Sequence, residues 1–160
     1  MRQRIKRFLY YGGLEQSRYH NLTEQIIDGN RRNLLAFSII CCVAMSAMTV
    51  LTFIMSSLVA MRRAYLLCAV AMLIMALLAA GPCKKNRTLV LPCAYLFIFG
   101  VLAFGIALGT FINPDQLSVS FIVMLFAAPL LYTDSPVRMG LAVFIGVVAY
   151  IICAAHTQSA

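Results

Sequence analysis

The side chains that most often carry chemistry are sparse in this sequence, and their spacing keeps most of them apart. Cys41 and Cys42 are adjacent, so a helix would point them in two directions, and neither His20 nor His156 is near them in sequence. A tetrahedral zinc site needs four converging donors, which this pattern does not provide. Cys41, Cys42, Cys68, Cys93 and Cys153 lie in apolar runs, where they read as small buried thiols rather than a disulfide framework; only Cys83 falls in a polar connection. Asp115 and Asp134 are the only carboxylates after Asp28. Each reads first as a helix cap or first-turn residue, and Asp115 is carried as a candidate ligand contact. Gly12-Gly13 alone is no phosphate loop, and no Ser/His/Asp set has a plausible context. The expectation is a chain with no catalytic, cofactor-binding or metal-ligating residues, hence no cofactor and no enzymatic activity of its own.

The elements around these residues explain the scarcity. The chain has 160 residues, 62% of them hydrophobic and 11% charged, with a mean hydropathy of +0.90. An ordinary soluble domain is about 25% charged, and its core could not consume this much apolar surface. Lipid must solvate most of the chain. The expected fold is all-α: a polytopic helical membrane protein of about five transmembrane helices, preceded by a cytoplasmic amphipathic helix. The net charge of +8 does not imply nucleic acid, because the basic residues sit in short clusters that flank apolar runs.

Residues 1–33 form the basic arm. Met1 to Tyr11 alternates basic and apolar side chains and suits an anionic membrane surface. After a break at Gly12-Gly13, Leu14 to Arg32 is expected as an amphipathic helix with Tyr19, Leu22 and Ile26 in one stripe. Asn30-Arg31-Arg32-Asn33 is the junction with the membrane. The transmembrane bundle, 34–155, divides into spans at 34–54, 64–80, 89–112, 114–132 and 137–155, with 156–160 as a short tail. Gly81-Pro82 stops the second span, and Pro92 sits near the start of the third, where a missing donor matters little. Asn113-Pro114-Asp115 and Ser135-Pro136 each combine an N-cap with proline at the first helical position. Gly105 and Gly109 make a G-x-x-x-G pair, expected to pack helices within the chain and, second to that, to form a homodimer seam. Tyr65, Tyr95, Tyr132 and Tyr150 are expected as an interfacial belt near span ends.

Orientation follows from the Lys and Arg residues of the short connections. With the N-terminus in the cytoplasm, Arg31 and Arg32 of the junction, Lys84, Lys85 and Arg87 of the second connection, and Arg138 of the fourth all fall inside. Only Arg62 and Arg63 then fall outside, and so does the tail. Asp115 and Asp134 come to lie on opposite sides of the membrane.

The arrangement Tyr11-Gly12-Gly13-Leu14, a helix with Tyr19 and Ile26-Ile27, and then Asn30-Arg31-Arg32-Asn33-Leu34 entering the first span resembles the N-terminal membrane region of bacterial GGDEF-family diguanylate cyclases. The Asn113-Pro114-Asp115-Gln116 loop and the turn with Asp134 and Arg138 fit the same pattern. The resemblance implies a sensory or anchoring module in the bacterial cytoplasmic membrane, joined in its parent protein to a C-terminal cytoplasmic output domain that makes cyclic di-GMP from GTP. No GGDEF signature is present, so no catalytic residue carries over. The resemblance also implies a chain cut short of a sixth span. The alternative is a small membrane protein that serves as a transporter or complex subunit for a neutral or lipophilic solute, with Ser38, Ser46, Thr49 and Thr52 along a weakly polar path.

Overall fold

A computed structural model describes residues 16–112 and 119–158. The Met1–Tyr11 segment, Gly12-Gly13 and the Asn113-Pro114-Asp115-Gln116 loop, with its candidate ligand residue Asp115, lie outside the described residues. Five principal helices follow one another: α1 (Gln16–Ile54), α2 (Arg62–Ala80), α3 (Val90–Ile106), α4 (Val119–Leu131) and α5 (Pro136–Gln158). Among the described residues there is no strand. The protein is an all-α helical membrane protein: four stretches, Leu22–Ile54, Leu58–Lys85, Arg87–Phe111 and Pro136–Thr157, are long and apolar enough to cross a bilayer, and Phe121–Leu131 is a shorter apolar helix.

One boundary differs from the sequence reading. The amphipathic helix and the first span are a single 39-residue helix, roughly 58 Å long against a hydrocarbon layer of about 30 Å. Asn30-Arg31-Arg32-Asn33 contains no proline, its two potential N-cap side chains bond to Thr133 and Leu131 instead of capping, and Gly29 is exposed with open space about it, so nothing there stops helical propagation. The junction is a change of solvent along one rod.

Helix α3 is the axis of the bundle, packing against each of the other four helices. Its buried residues Val90, Ala94, Phe97, Ile98, Leu102, Gly105 and Ile106 recur every three to four positions and form one broad face, while Leu96, Phe99 and Gly100 on the other are exposed. In α2 the buried set includes Ala69, Ala76 and Ala79, small residues that let α1 and α3 approach closely. By contrast, α1 leaves Ile40, Val43, Phe53 and Ile54 exposed and α5 leaves Leu141, Phe144 and Ile151 exposed, the distribution expected of outer helices solvated by lipid.

The tyrosines expected near span ends are engaged by protein partners. Tyr65 and Tyr132 are buried in the core, Tyr95 bonds to Asp134, and Tyr150 stacks on Phe121 at 4.5 Å between ring centroids, joining α4 to α5. Each ring finds a closer partner on a neighbouring helix than the membrane interface offers.

Between α1 and α2 the chain turns sharply at Met55, which is extended (φ −104°, ψ 110°). Arg62 closes this turn: its guanidinium donates to the Thr52 carbonyl at 3.0 Å and to Thr52 Oγ1 at 3.2 Å, and lies 4.0 Å from the centre of the Phe53 ring. A cation thus meets carbonyls that α1 leaves unpaired at its C-terminus. Arg62→Ala is expected to lower stability by about 1–2 kcal/mol, and Arg62→Lys by less. Chemical unfolding of the full chain in bicelles measures both; equal stability of all three proteins would refute the capping role.

Candidate functional site

At the other end of the bundle from Arg62, three segments distant in sequence meet. They are the outer half of α1, the turn between α2 and α3, and the linker between α4 and α5. Antiparallel helices must return their connections to alternate ends, so these segments share one end by topology, and side-chain bonds then draw them together.

The linker Tyr132–Ser135 has no regular hydrogen bonding of its own, so its backbone groups need partners. Asn30 supplies them. Its Nδ2 donates to the Thr133 carbonyl at 2.8 Å and its Oδ1 accepts from the Thr133 N–H at 2.8 Å. The carboxamide thus pairs with Thr133 as another peptide unit would. One turn along α1, Asn33 Nδ2 donates to the Leu131 carbonyl at 2.8 Å, one of the last carbonyls of α4, which a helix end leaves unpaired. Asn30 is 3% exposed. Asparagine is a poor helix former, and these bonds account for two of them at i and i+3 in the middle of a helix.

Asp134 is held from two sides. The Tyr95 hydroxyl on α3 donates to its Oδ2, and the Arg138 guanidinium lies 3.7 Å from its Oδ1, with the Asp134 side chain 4% exposed and that of Arg138 64%. Ser135 caps α5, its Oγ accepting from the Arg138 N–H at 3.4 Å, and Pro136 opens the helix without a donor to satisfy. On the facing side Arg87 reaches Glu24 at 3.2 Å and Asp28 at 3.8 Å, one turn apart on α1.

These groups surround a cavity of about 490 Å³. Its lining is mixed, with the apolar Ile26, Ile27 and Leu91 beside the polar Arg87, Thr88, Asp134 and Arg138. A second hollow of about 520 Å³ shares Thr133 and Asp134 and is otherwise lined by Pro129, Tyr132 and neighbours on α5.

Of the residues singled out in the sequence, Asn30 and Asn33 belong to this clasp, Arg31 and Arg32 flank it on α1, and Asp134 and Arg138 are within it. Gly105 lies elsewhere, buried against α4: a Cβ there would stand 3.0 Å from Phe121 Cα. Gly109 falls in a π-helical segment, Ala107–Ile112, that ends α3, where Thr110 Oγ1 donates back to the Ile106 carbonyl at 2.7 Å. Cys83 is fully buried despite its basic neighbours Lys84 and Lys85, because the single turn Pro82–Lys85 folds its side chain inward. Among the described residues no three His, Cys, Asp or Glu side chains converge as metal ligands.

Of the four hydroxyls considered for a solute path, two bond back to their own helix, and the buried Ser38 Oγ has no hydrogen-bond partner among the described residues. Thr49 Oγ1 donates to the Met45 carbonyl at 2.8 Å and Thr52 Oγ1 to the Thr49 carbonyl at 2.6 Å, both within α1. Ser38 is buried in the bundle, whereas Ser46 is exposed.

The sequence reading missed Thr133 and Tyr95 as partners, and the role of the asparagines. The signal was present: Asn30 and Asn33 are spaced i, i+3, which places them on one face of a continuous helix. Comparison with known proteins adds no relative: no family model, curated protein or solved structure matches the chain.

Proposed function

We propose that this chain is a membrane-embedded sensory or anchoring module of a bacterial signalling protein, in which α1 carries the packing state of the bundle out of the membrane. The observation behind this reading is that α1 runs unbroken from Gln16 to Ile54 while Asn30 ties it, at the membrane exit, to the α4–α5 linker. A rod clasped at Asn30 and Asn33, and paired through Glu24 and Asp28 to Arg87, would carry a displacement of the bundle into its outer turns. Two arrangements, clasp closed and clasp open, would form the switch, and a stimulus would act by favouring one of them.

In this proposal the clasp end faces the cytoplasm, because Arg31, Arg32, Lys84, Lys85, Arg87 and Arg138 gather there and, among the described residues, only Arg62 and Arg63 lie at the opposite end. The membrane is then the bacterial cytoplasmic membrane. The resemblance to GGDEF-family membrane regions names the output such a module would serve, a diguanylate cyclase domain; the geometry supports coupling and does not bear on that chemistry. A second copy of the chain is not needed to cover Gly105, because α4 already does so.

Distance probes test the coupling. With one fluorophore on Gln25 and another on Lys85, both exposed, thinning the bilayer of reconstituted liposomes is expected to shift the distance in the native chain and to broaden it in Asn30→Ala. One unchanged distance in every bilayer, for both proteins, would overturn the coupling role.

A further inference from the structure

We propose that the cavity at the clasp seats the phosphodiester of a membrane phospholipid, with Arg87 and Arg138 as its donors and the apolar wall receiving the start of the acyl chains. The proposal does not rest on the signalling reading; it requires only that the helices stand in a bilayer.

Position is the first argument. The cavity lies where α1, α3 and α5 pass from apolar to charged surface, the level at which lipid headgroups sit. Its lining combines both characters in one site, the apolar Ile26, Ile27, Leu91 and Val137 with the cationic Arg87 and Arg138. About 490 Å³ is within the range of ordinary ligand sites, roughly 300–1,000 Å³. A free phosphate would have no use for the apolar wall, and a hydrocarbon none for the guanidinium groups.

Unspent donors are the second argument. Each guanidinium has five N–H donors, and in the ion pairs that engage these two half or more of each arginine side chain stays exposed. Arg87 lies 3.2 Å from Glu24 and 3.8 Å from Asp28, with all three side chains at least 43% exposed. Such pairs contribute little, so a phosphate can add to them or displace them. Arg138 differs in that its partner Asp134 is buried and bonded to Tyr95, so Asp134 stays in place and holds Arg138 at the rim. Planar guanidinium forks match phosphate oxygens two at a time, and basic pockets between membrane helices suit such headgroups.

The test uses the full chain in a non-ionic detergent and native mass spectrometry with three probes. These are phosphatidylglycerol, diacylglycerol with the same chains, and glycerol phosphate without chains. Phosphatidylglycerol is expected to bind at least about tenfold more tightly than either of the others, and Arg87→Gln with Arg138→Gln to weaken it about tenfold or more. Arg63→Gln, at the opposite end, should leave binding unchanged. Glu24→Gln with Asp28→Asn, which releases Arg87, should strengthen it, and this arm decides the matter even if the double arginine variant does not fold. Equal binding of diacylglycerol would overturn the phosphate contact, and equal binding of glycerol phosphate would overturn the lipid. Undiminished binding by a folded double arginine variant, or no gain on releasing Arg87, would overturn the assigned donors.

Discussion

Asn30→Ala is expected to reduce the unfolding free energy of the full chain by about 1–3 kcal/mol, a large effect for one surface-end side chain. The substitution removes a donor and an acceptor together and leaves the Thr133 N–H and carbonyl, 2.8 Å from Asn30 on each side, without their partners. Two considerations bound the size. Buried backbone groups left unpaired cost about 1–3 kcal/mol each, but hydrogen bonds in membrane proteins have averaged nearer 0.6 kcal/mol because the freed groups find others. Thr133 is exposed, so water can reach part of what Asn30 abandons, and the expected loss stays near the bottom of the summed range, at about 1–3 kcal/mol. Asn33→Ala, which loses one exposed bond to the Leu131 carbonyl, should lose only about 0.5–1 kcal/mol.

Asn30→Asp separates hydrogen bonding from shape. The carboxylate keeps an acceptor for the Thr133 N–H but turns a second oxygen toward the Thr133 carbonyl, which has nothing to donate. Protonation restores the donor, and burial raises a carboxyl's pKa in the folded state. The variant's folded state therefore binds its proton more tightly than the unfolded state, and it gains stability as pH falls through the raised value. Asn30→Ala has no such group and should show no matching gain. Unfolding titrations in bicelles, with amide exchange at Thr133, read all three variants. A loss in Asn30→Ala below about 0.5 kcal/mol, the scatter of ordinary surface substitutions, would show that this side chain does not hold the clasp.

The clasp illustrates what could be read from the residues and what could not. Asn30 and Asn33 stand out in any helical reading because they are poor helix formers flanking two arginines. Their composition led naturally to a boundary, since a polar tetrad between a charged arm and an apolar run is where the solvent changes. The partners are 98 and 103 residues away, and nothing local to Leu131 or Thr133 announces them. Asp134 was visible as a first-turn residue; its bond to Tyr95 depends on α3 lying beside α5, which no periodicity specifies.

Much of the fold was legible because membrane helices are stopped by strong local chemistry. Gly81-Pro82 ends α2 at Ala80, and Ser135-Pro136 opens α5; proline and a capping hydroxyl act whatever the surroundings. The all-α class followed from apolar runs that lipid alone could solvate. The central place of α3 was not legible. All its residues are apolar, so hydropathy cannot tell which side meets protein and which meets lipid, and the difference lies in small residues and shape. The protein partners of the tyrosines were not legible for the same reason: an amphipathic ring suits both an interface and a partner within the bundle, and Tyr95 meets Asp134 while Tyr150 meets Phe121.

Shape also sets the second large effect, at the glycines. Gly105→Ala is expected to destabilise the chain by about 2–3 kcal/mol, although alanine is the better helix former. Its Cβ would lie 3.0 Å from Phe121 Cα and 3.3 Å from Phe121 N, and backbone cannot rotate out of the way. Helix α4 would have to withdraw from α3, pulling Phe121 from its stack on Tyr150 at 4.5 Å and so loosening α5 as well. Gly146→Ala brings a Cβ nearer still, 2.9 Å from Leu102 Cδ1, yet the obstacle is the end of a side chain that can shift. It should lose about 1 kcal/mol. Gly100 has open space around it, so Gly100→Ala should gain up to about 1 kcal/mol from helix propensity alone. The order of the three, measured by unfolding in the same bicelles, carries the argument: distance alone would rank Gly146 worst, propensity alone would make every substitution favourable, and only the difference between backbone and side-chain obstacles puts Gly105 first. If Gly146→Ala proves the most damaging, Leu102 is more tightly held than the α3–α4 contact, and the point of closest helix approach in this bundle is between α3 and α5.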